Sequence, residues 1–364
     1  MDDRVRRHAE ILVDDCTEIQ RGDMVEVRAP TEAEDLVVAL YERLGARGAR
    51  PVTRWANARA GRAYALQMDE DDYVTKEHAL AAMEETDAVF LIGGGSNAFE
   101  TSDVPPAKSQ AGSRAHGPVL EERLGKRWVI TQHPTAGGAQ QAEMSTAAYE
   151  EFVYDAIDKD WDEQEAFQAN MVELLDPADE VRVVSGDTTD VTMSVAGMDA
   201  ANDCGDRNMP AGEVFTCPVP DSVEGEVLFD KPLIWQGVEI RGAWLRFEGG
   251  EVVDFSADQN EATLEGVLDT DEGSRRLGEL GIGMNRDIDR FTYNMLFDEK
   301  MGDTVHMAVG GAIEECVPEG QPFNESATHV DMIVDMSEDS YIEVDGEVVQ
   351  RNGTFVFEDG FEAE

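Results

Sequence analysis

Positive charge is what this chain has least of. Its 364 residues include six lysines (76, 108, 126, 159, 231 and 300), and arginine brings the bases only to 29 against 78 acids. The formal charge is −49. A protein that grips phosphates needs a basic footprint, and its absence argues against a nucleic-acid partner. Cysteine is sparse too. Cys16, Cys204, Cys217 and Cys316 lie far apart with no Cys-x-x-Cys pair, which points to a reduced protein rather than a disulfide framework. No apolar run reaches the roughly 18 residues of a membrane span, and Met1-Asp-Asp-Arg4 shows no signal-peptide pattern. These absences predict a cytoplasmic protein without a membrane partner.

What is present is an ordinary supply of core residues, 41% hydrophobic and 7% aromatic. The acids are spread along the whole length between apolar runs, unlike those of a disordered acidic tail. Self-repulsion at this charge opposes compaction, and salt relieves it, the Debye length falling from about 10 Å at 0.1 M to about 3 Å at 1 M. An acidic, lysine-poor, foldable chain fits a salt-saturated cytoplasm. The length predicts two domains.

The first half alternates strand and helix signals. Residues 24–28 read as a strand. Residues 31–45 read as a helix, with Thr31 and Glu34 spaced as a capping box and Leu36, Val37, Leu40 and Leu44 at helical spacing. A strand over 50–55 and a helix over 76–86 follow. The apolar run to Ile92 marks a strand buried on both faces. A helix near 118–125, a strand over 128–132 and a helix over 145–159 complete an α/β layer with a mostly parallel sheet. Gly93-Gly-Gly-Ser-Asn97 stands where such folds bind ligands, but it lacks phosphate-loop spacing and reads as a turn. His133, just beyond a strand end, reads as structural. From about residue 181 strand signals dominate: 181–185, 190–195, a meander over 223–257 and a hairpin on Asp345-Gly346, with one helix over 259–268. This half is α+β. The boundaries predicted are 1–175 and 176–364, joined by the charged stretch 160–180.

Between Leu277 and Asp331 the chain places Glu279, Glu299, His306, His329 and Asp331 in three glycine-rich segments. Carboxylates and neutral imidazoles are ligands for hard or borderline divalent cations. The histidines say most, because two of only six fall here. His329 and Asp331, two apart, share one side of an extended strand. Glu213 enters an apolar strand within Asn208-Met-Pro-Ala-Gly-Glu-Val-Phe-Thr216, which costs several kcal/mol unless the charge is paired or bound to a cation. Plainer readings stand beside each: solvated acids, a core histidine at 306, a His–Asp ion pair.

Four ordered motifs resemble the aminopeptidase T family of metal-dependent exopeptidases. They are Asn208–Thr216, Leu277-Gly-Glu-Leu-Gly-Ile-Gly-Met-Asn285, Asp298-Glu-Lys-x-Gly-x-Thr-Val-His-x-Ala-x-Gly310 and Asn324-x-Ser-x-x-His-x-Asp331. Residues 134–149 are similar to the family's segment between domains. The resemblance implies that Glu213, Glu279, Glu299, His306, His329 and Asp331 bind two divalent ions, with Glu279 bridging. It implies a homodimer whose C-terminal domain carries the metals, and peptide substrates with a free N-terminus. Cobalt, zinc, manganese and magnesium all suit so oxygen-rich a set. Glu213 is the candidate general base. One position departs: classical members carry a tyrosine seven residues after the first histidine, where this chain has Ile313. The Asp-Glu-Lys form is similar to an archaeal-type branch that also lacks it. The alternative function is a metal-dependent peptide-binding relative that has lost turnover.

Overall fold

A computed structural model describes residues 2–362. Two compact units result. One comprises the chain up to Lys159 with Gly205–Pro210, the other Asp160–Cys204 with the chain from Ala211 onward. The divide therefore falls at Lys159/Asp160 instead of near residue 175. The reason is visible in the helix Trp161–Leu175, which buries Gln164, Gln168, Met171 and Leu175. Met171 and Leu175 belong to the core of the second unit. A stretch that reads as a charged linker is thus a helix with one wet and one buried face.

The first unit is built on a parallel sheet, as the alternation of signals predicts. Its strand order is Arg50–Ala56, Met24–Pro30, Ala88–Gly93, Arg127–Gln132 and the two-residue strand Asn208–Met209. Ala88, Val89 and Phe90 are fully buried, as expected of a strand covered on both faces. Two details differ from the sequence-based expectation. The helix at Glu34–Arg47 follows a 3₁₀ turn at Thr31–Ala33 and has no side-chain cap, because the Thr31 hydroxyl donates to Glu32 (3.1 Å). The helix expected near 118–125 runs over Pro106–Leu124, its first half disguised by Gly112, Gly117 and Pro118.

The second unit packs an eight-stranded antiparallel sheet and a five-stranded antiparallel sheet about one core. The larger sheet runs in the order Glu251–Ser256, Ala243–Glu248, Glu224–Phe229, Thr189–Ser194, Glu180–Ser185, Ser340–Val344, Glu347–Arg351, Thr354–Phe355. The smaller runs His329–Asp335, Thr304–Gly310, Leu277–Gly283, Glu213–Thr216, Ala201–Asp203. Val183, Val191, Val227 and Leu245 from the first sheet share a core with Leu280, Ile282, Met307 and Met332 from the second. The other face of the smaller sheet is where the chemistry lies. Among the described residues no helix is long and apolar enough to cross a membrane.

Candidate metal centre

Strand register decides which side chains reach this face. Leu280 pairs with Met307 and Met307 with Met332, an apolar row directed at the core. The neighbouring row pairs Glu279 with Ala308 and Ala308 with Asp331, and the next pairs Gly281 with His306. Side chains alternate along a strand, so Glu279, His306, His329 and Asp331 share the face away from the core. Glu279 gets there by a bulge. The register slips between Leu277 and Glu279, so Leu277 and Leu280, three apart, both face the core and the carboxylate between them turns outward. Re-aiming a side chain is a common use of a bulge near a functional site.

Small residues clear the space between the polar ones. A Cβ added to Gly281 would lie 1.9 Å from His306 Nε2, so the imidazole lies directly over this glycine. Gly310 (φ +113°) stands opposite His329, where a Cβ would meet the Thr328 carbonyl at 2.1 Å. Only glycine fits the first place, and glycine alone suits the second.

All six residues singled out in the sequence meet in one cluster. His306 Nε2 lies 3.3 Å from both Glu213 Oε2 and Glu279 Oε1. His329 Nε2 lies 3.0 Å from Glu279 Oε2 and 3.4 Å from Asp331 Oδ1. Glu299 joins through Lys300, whose ammonium also bonds Glu213 Oε1 at 3.0 Å. His329 Nδ1 donates to the Gly311 carbonyl at 2.7 Å, which fixes the ring with Nε2 directed at the carboxylates. Exposure grades across the cluster, from 1% for the His306 side chain to 18% for Asp331 and 30% for His329. The site opens at the His329 edge.

Charge balance tests whether a cation fits. Four carboxylates face one ammonium, so three negative charges are uncompensated while both imidazoles are neutral. Burial pushes the Glu213 carboxyl up to about 8 against the pull of Lys300, and burial raises Glu299 as well. Glu279 moves the other way, down to about 2, because hydrogen bonds from both imidazoles outweigh its burial. Burial opposes protonation of the imidazoles, yet Glu279 and its neighbours raise His306 to about 9 and His329 to about 12. Metal-free, the cluster thus compensates itself with protons at neutral pH. Glu213 Oε2 and His306 Nδ1 are buried without a hydrogen-bond partner. Divalent cations would displace the protons and give Glu213 Oε2 a partner, so the donor set fits them.

Three contributors are not evident from the sequence. Lys300 is fully buried, and Glu213 and Glu299 hold it charged in spite of that; its signal is its place directly after Glu299 in a chain with so few lysines. Gln168 donates to the carbonyl of Glu213 at 2.9 Å and so fixes the start of that strand. Nothing in the local sequence announces it. Asp298 is buried and accepts from the Thr292 N–H (2.7 Å) and hydroxyl (2.8 Å). The flanking motif residues are structural: Asn324 donates to the Gly273 and Gly310 carbonyls, and Asn285 to the Ala211 carbonyl.

A model of the thermophilic metalloprotease (M29) family matches residues 1–361. The chain belongs to that family. It is 30% identical to aminopeptidase T of Thermus aquaticus, with 94% of each chain covered. Wild-type AmpT from Thermus thermophilus matches with a TM-score of 0.87 at 25% identity, over 97% of this chain and 99% of that one. A 2,5-dihydroxypyridine dioxygenase from Pseudomonas putida KT2440 matches with a TM-score of 0.62 at 16% identity, over 98% and 97%. That last likeness is one of fold alone, so the chemistry has to be argued from the donor set. An M29 metalloprotease depends on divalent metal. Glu279, His306 and Asp331 each offer one donor atom within 4.8 Å of the others, a place for such an ion.

Proposed function

We propose that this M29 metalloprotease is an aminopeptidase that uses two divalent ions, held by Glu213, Glu279, Glu299, His306, His329 and Asp331, to release N-terminal residues from peptides. The observation that carries this reading is the Glu279 carboxylate, whose Oε1 faces His306 and whose Oε2 faces His329. A carboxylate with one oxygen toward each imidazole has the disposition of a bridge. Two ions bound there would lower the pKa of a shared water from about 15.7 toward about 7 and polarise the scissile carbonyl. The oxygen-rich donors admit cobalt, zinc, manganese or magnesium.

The remaining work falls to the chain's own residues. Lys300 bonds Glu213 Oε1 at 3.0 Å and leaves Oε2 facing His306 Nε2 at 3.3 Å. Glu213 is the proposed general base, which would accept a proton from the attacking water and pass it to the leaving amine. Asp331 stands at the open edge, and an ion held there would bind the free amine of an incoming peptide. Ile313 packs near Phe215, Cys217 and Cys316 and supplies no hydroxyl.

The test is a pair of peptides. With metal bound, the protein should release the first residue of a short peptide and leave its N-acetylated form intact, since acetylation removes the charge and basicity of the amine. Equal cleavage of both would rule out anchoring by the free amine.

For its setting we propose a homodimer of the archaeal-type branch in a salt-rich cytoplasm. The charge of −49 with six lysines supports the salt-rich setting, and the resemblance to the family supports the dimer and, through the Asp298-Glu-Lys300 form with Ile313, the branch. Dialysis from molar salt to about 0.1 M KCl weakens screening and should lower the melting temperature markedly. Melting that is unchanged over this range would end the halophile reading, and a monomeric mass by sedimentation equilibrium would end the dimer.

A further inference from the structure

Lysine is so scarce in this chain that the company each one keeps is informative. Lys126 pairs with Glu122, Lys231 with Asp335, and Lys300 with Glu213 and Glu299. Lys76 and Lys108 differ. Among the described residues neither has a carboxylate within ion-pair distance, although the chain holds 78 acids. The Lys108 ammonium donates to the Leu66 carbonyl at 3.0 Å, and that of Lys76 lies 5.6 Å from the centre of the Tyr64 ring. Both line one cavity of about 460 Å³ in the first unit. Its walls include Val119, Tyr64 and Tyr73, the two tyrosine rings meeting edge to face at 6.3 Å. The helix Ala58–Gln67, which carries Tyr64, buries none of its residues and is held by polar contacts, Arg62 pairing with Asp103 and Lys108 reaching Leu66.

The surroundings are positive, against the charge of the chain as a whole. Glu26 is buried and shared by two arginines, Arg28 and Arg54. Arg123, one turn beyond Val119 on the helix Pro106–Leu124, is buried 4.5 Å over the Trp128 ring, and its Nη1 has no hydrogen-bond partner. His116 lines the cavity and feels this field. Partial burial, then Arg28, Lys76 and Arg123, hold its imidazole below the usual range, with Glu26 opposing. Among the described residues Asp72 is the one carboxylate that lines the cavity, and its neighbours Glu70 and Asp71 line an adjoining one instead.

We propose that this cavity binds a small organic anion with a flat apolar body, an aromatic carboxylate or phosphate. Lys76 and Lys108 hold the anionic end as point charges, and the rings of Tyr64 and Tyr73 pack on the body. Size agrees, since pockets for small molecules run about 300–1,000 Å³. The site lies wholly in the first unit, so it stands whether or not the metal centre hydrolyses peptides.

Calorimetry on the full chain at one fixed KCl concentration tests this with four probes: indole-3-acetate, phenyl phosphate, uncharged indole-3-acetamide and inorganic phosphate. At least one of the two aromatic anions should bind once per chain, and the tighter of them identifies the anionic group. The acetamide and inorganic phosphate, each lacking half of the recognised chemistry, should bind about 10-fold more weakly or less. Added manganese should change none of these affinities. Lys76→Gln should weaken the anion about 10-fold, Lys76→Arg should restore it, and Lys126→Gln, whose ammonium is engaged by Glu122, should leave it unchanged. Lys76 makes no hydrogen bond among the described residues, so its variant should fold, with an unchanged circular dichroism spectrum. Binding of neither aromatic anion, equal binding of the acetamide, binding that appears only with manganese, or full affinity in Lys76→Gln would each overturn the proposal.

Discussion

Glu279→Ala should strip the site of both ions and reduce aminoacyl-anilide hydrolysis to background. The expectation follows from where this carboxylate lies. Each of its oxygens faces a different imidazole, whereas Glu213 lies 3.3 Å from His306, and Asp331, 3.4 Å from His329, comes only within 4.8 Å of His306. Without Glu279 no carboxylate among the described residues touches both imidazoles. Each imidazole keeps one carboxylate, so the variant should fold, and an unchanged circular dichroism spectrum would establish that. Metal analysis of the folded variant then decides the matter. Loss of one ion only would make Glu279 a terminal ligand and require another bridge.

The second large effect should come from a residue with no donor atom. Gly281→Ala places a methyl group where His306 Nε2 and Cε1 now lie, at 1.9 and 2.1 Å. The imidazole must leave its position, because the glycine is part of a central strand and cannot yield. Overpacking of this kind costs about 1–3 kcal/mol of stability, but the loss of metal uptake should be nearly complete. Gly266→Ala is the control. It lies in the helix Glu261–Leu268 with nothing within 4 Å of an added Cβ, and the exchange should leave metal uptake unchanged. Normal uptake by Gly281→Ala would remove His306 from the ligand set.

Residues differ in how far the sequence alone reveals them. His-x-Asp is legible because period-two alternation is a local rule, and the parallel sheet is legible because the run ending at Ile92 is apolar throughout. Glu279 cannot be placed by alternation. A regular strand would put it on the same face as Leu277, and only the bulge at Gly278 turns it to the other. Gly281 looks like flexibility and proves to be space for His306. Lys300 and Gln168 act across distances in the chain that no local pattern reports. The residue 160–180 stretch misleads because its charges sit on one face of a helix whose other face, with Met171 and Leu175, is core.

A metal titration tests the two-ion centre most directly. Metal-stripped protein receives cobalt or manganese in fixed salt while hydrolysis of leucine p-nitroanilide is followed. Activity should reach its plateau at two equivalents per chain. Uptake should tighten as pH rises, because His306 and His329 carry raised pKa values and must give up their protons to bind metal. A plateau at one equivalent, or full activity in the stripped protein, would contradict the two-ion site.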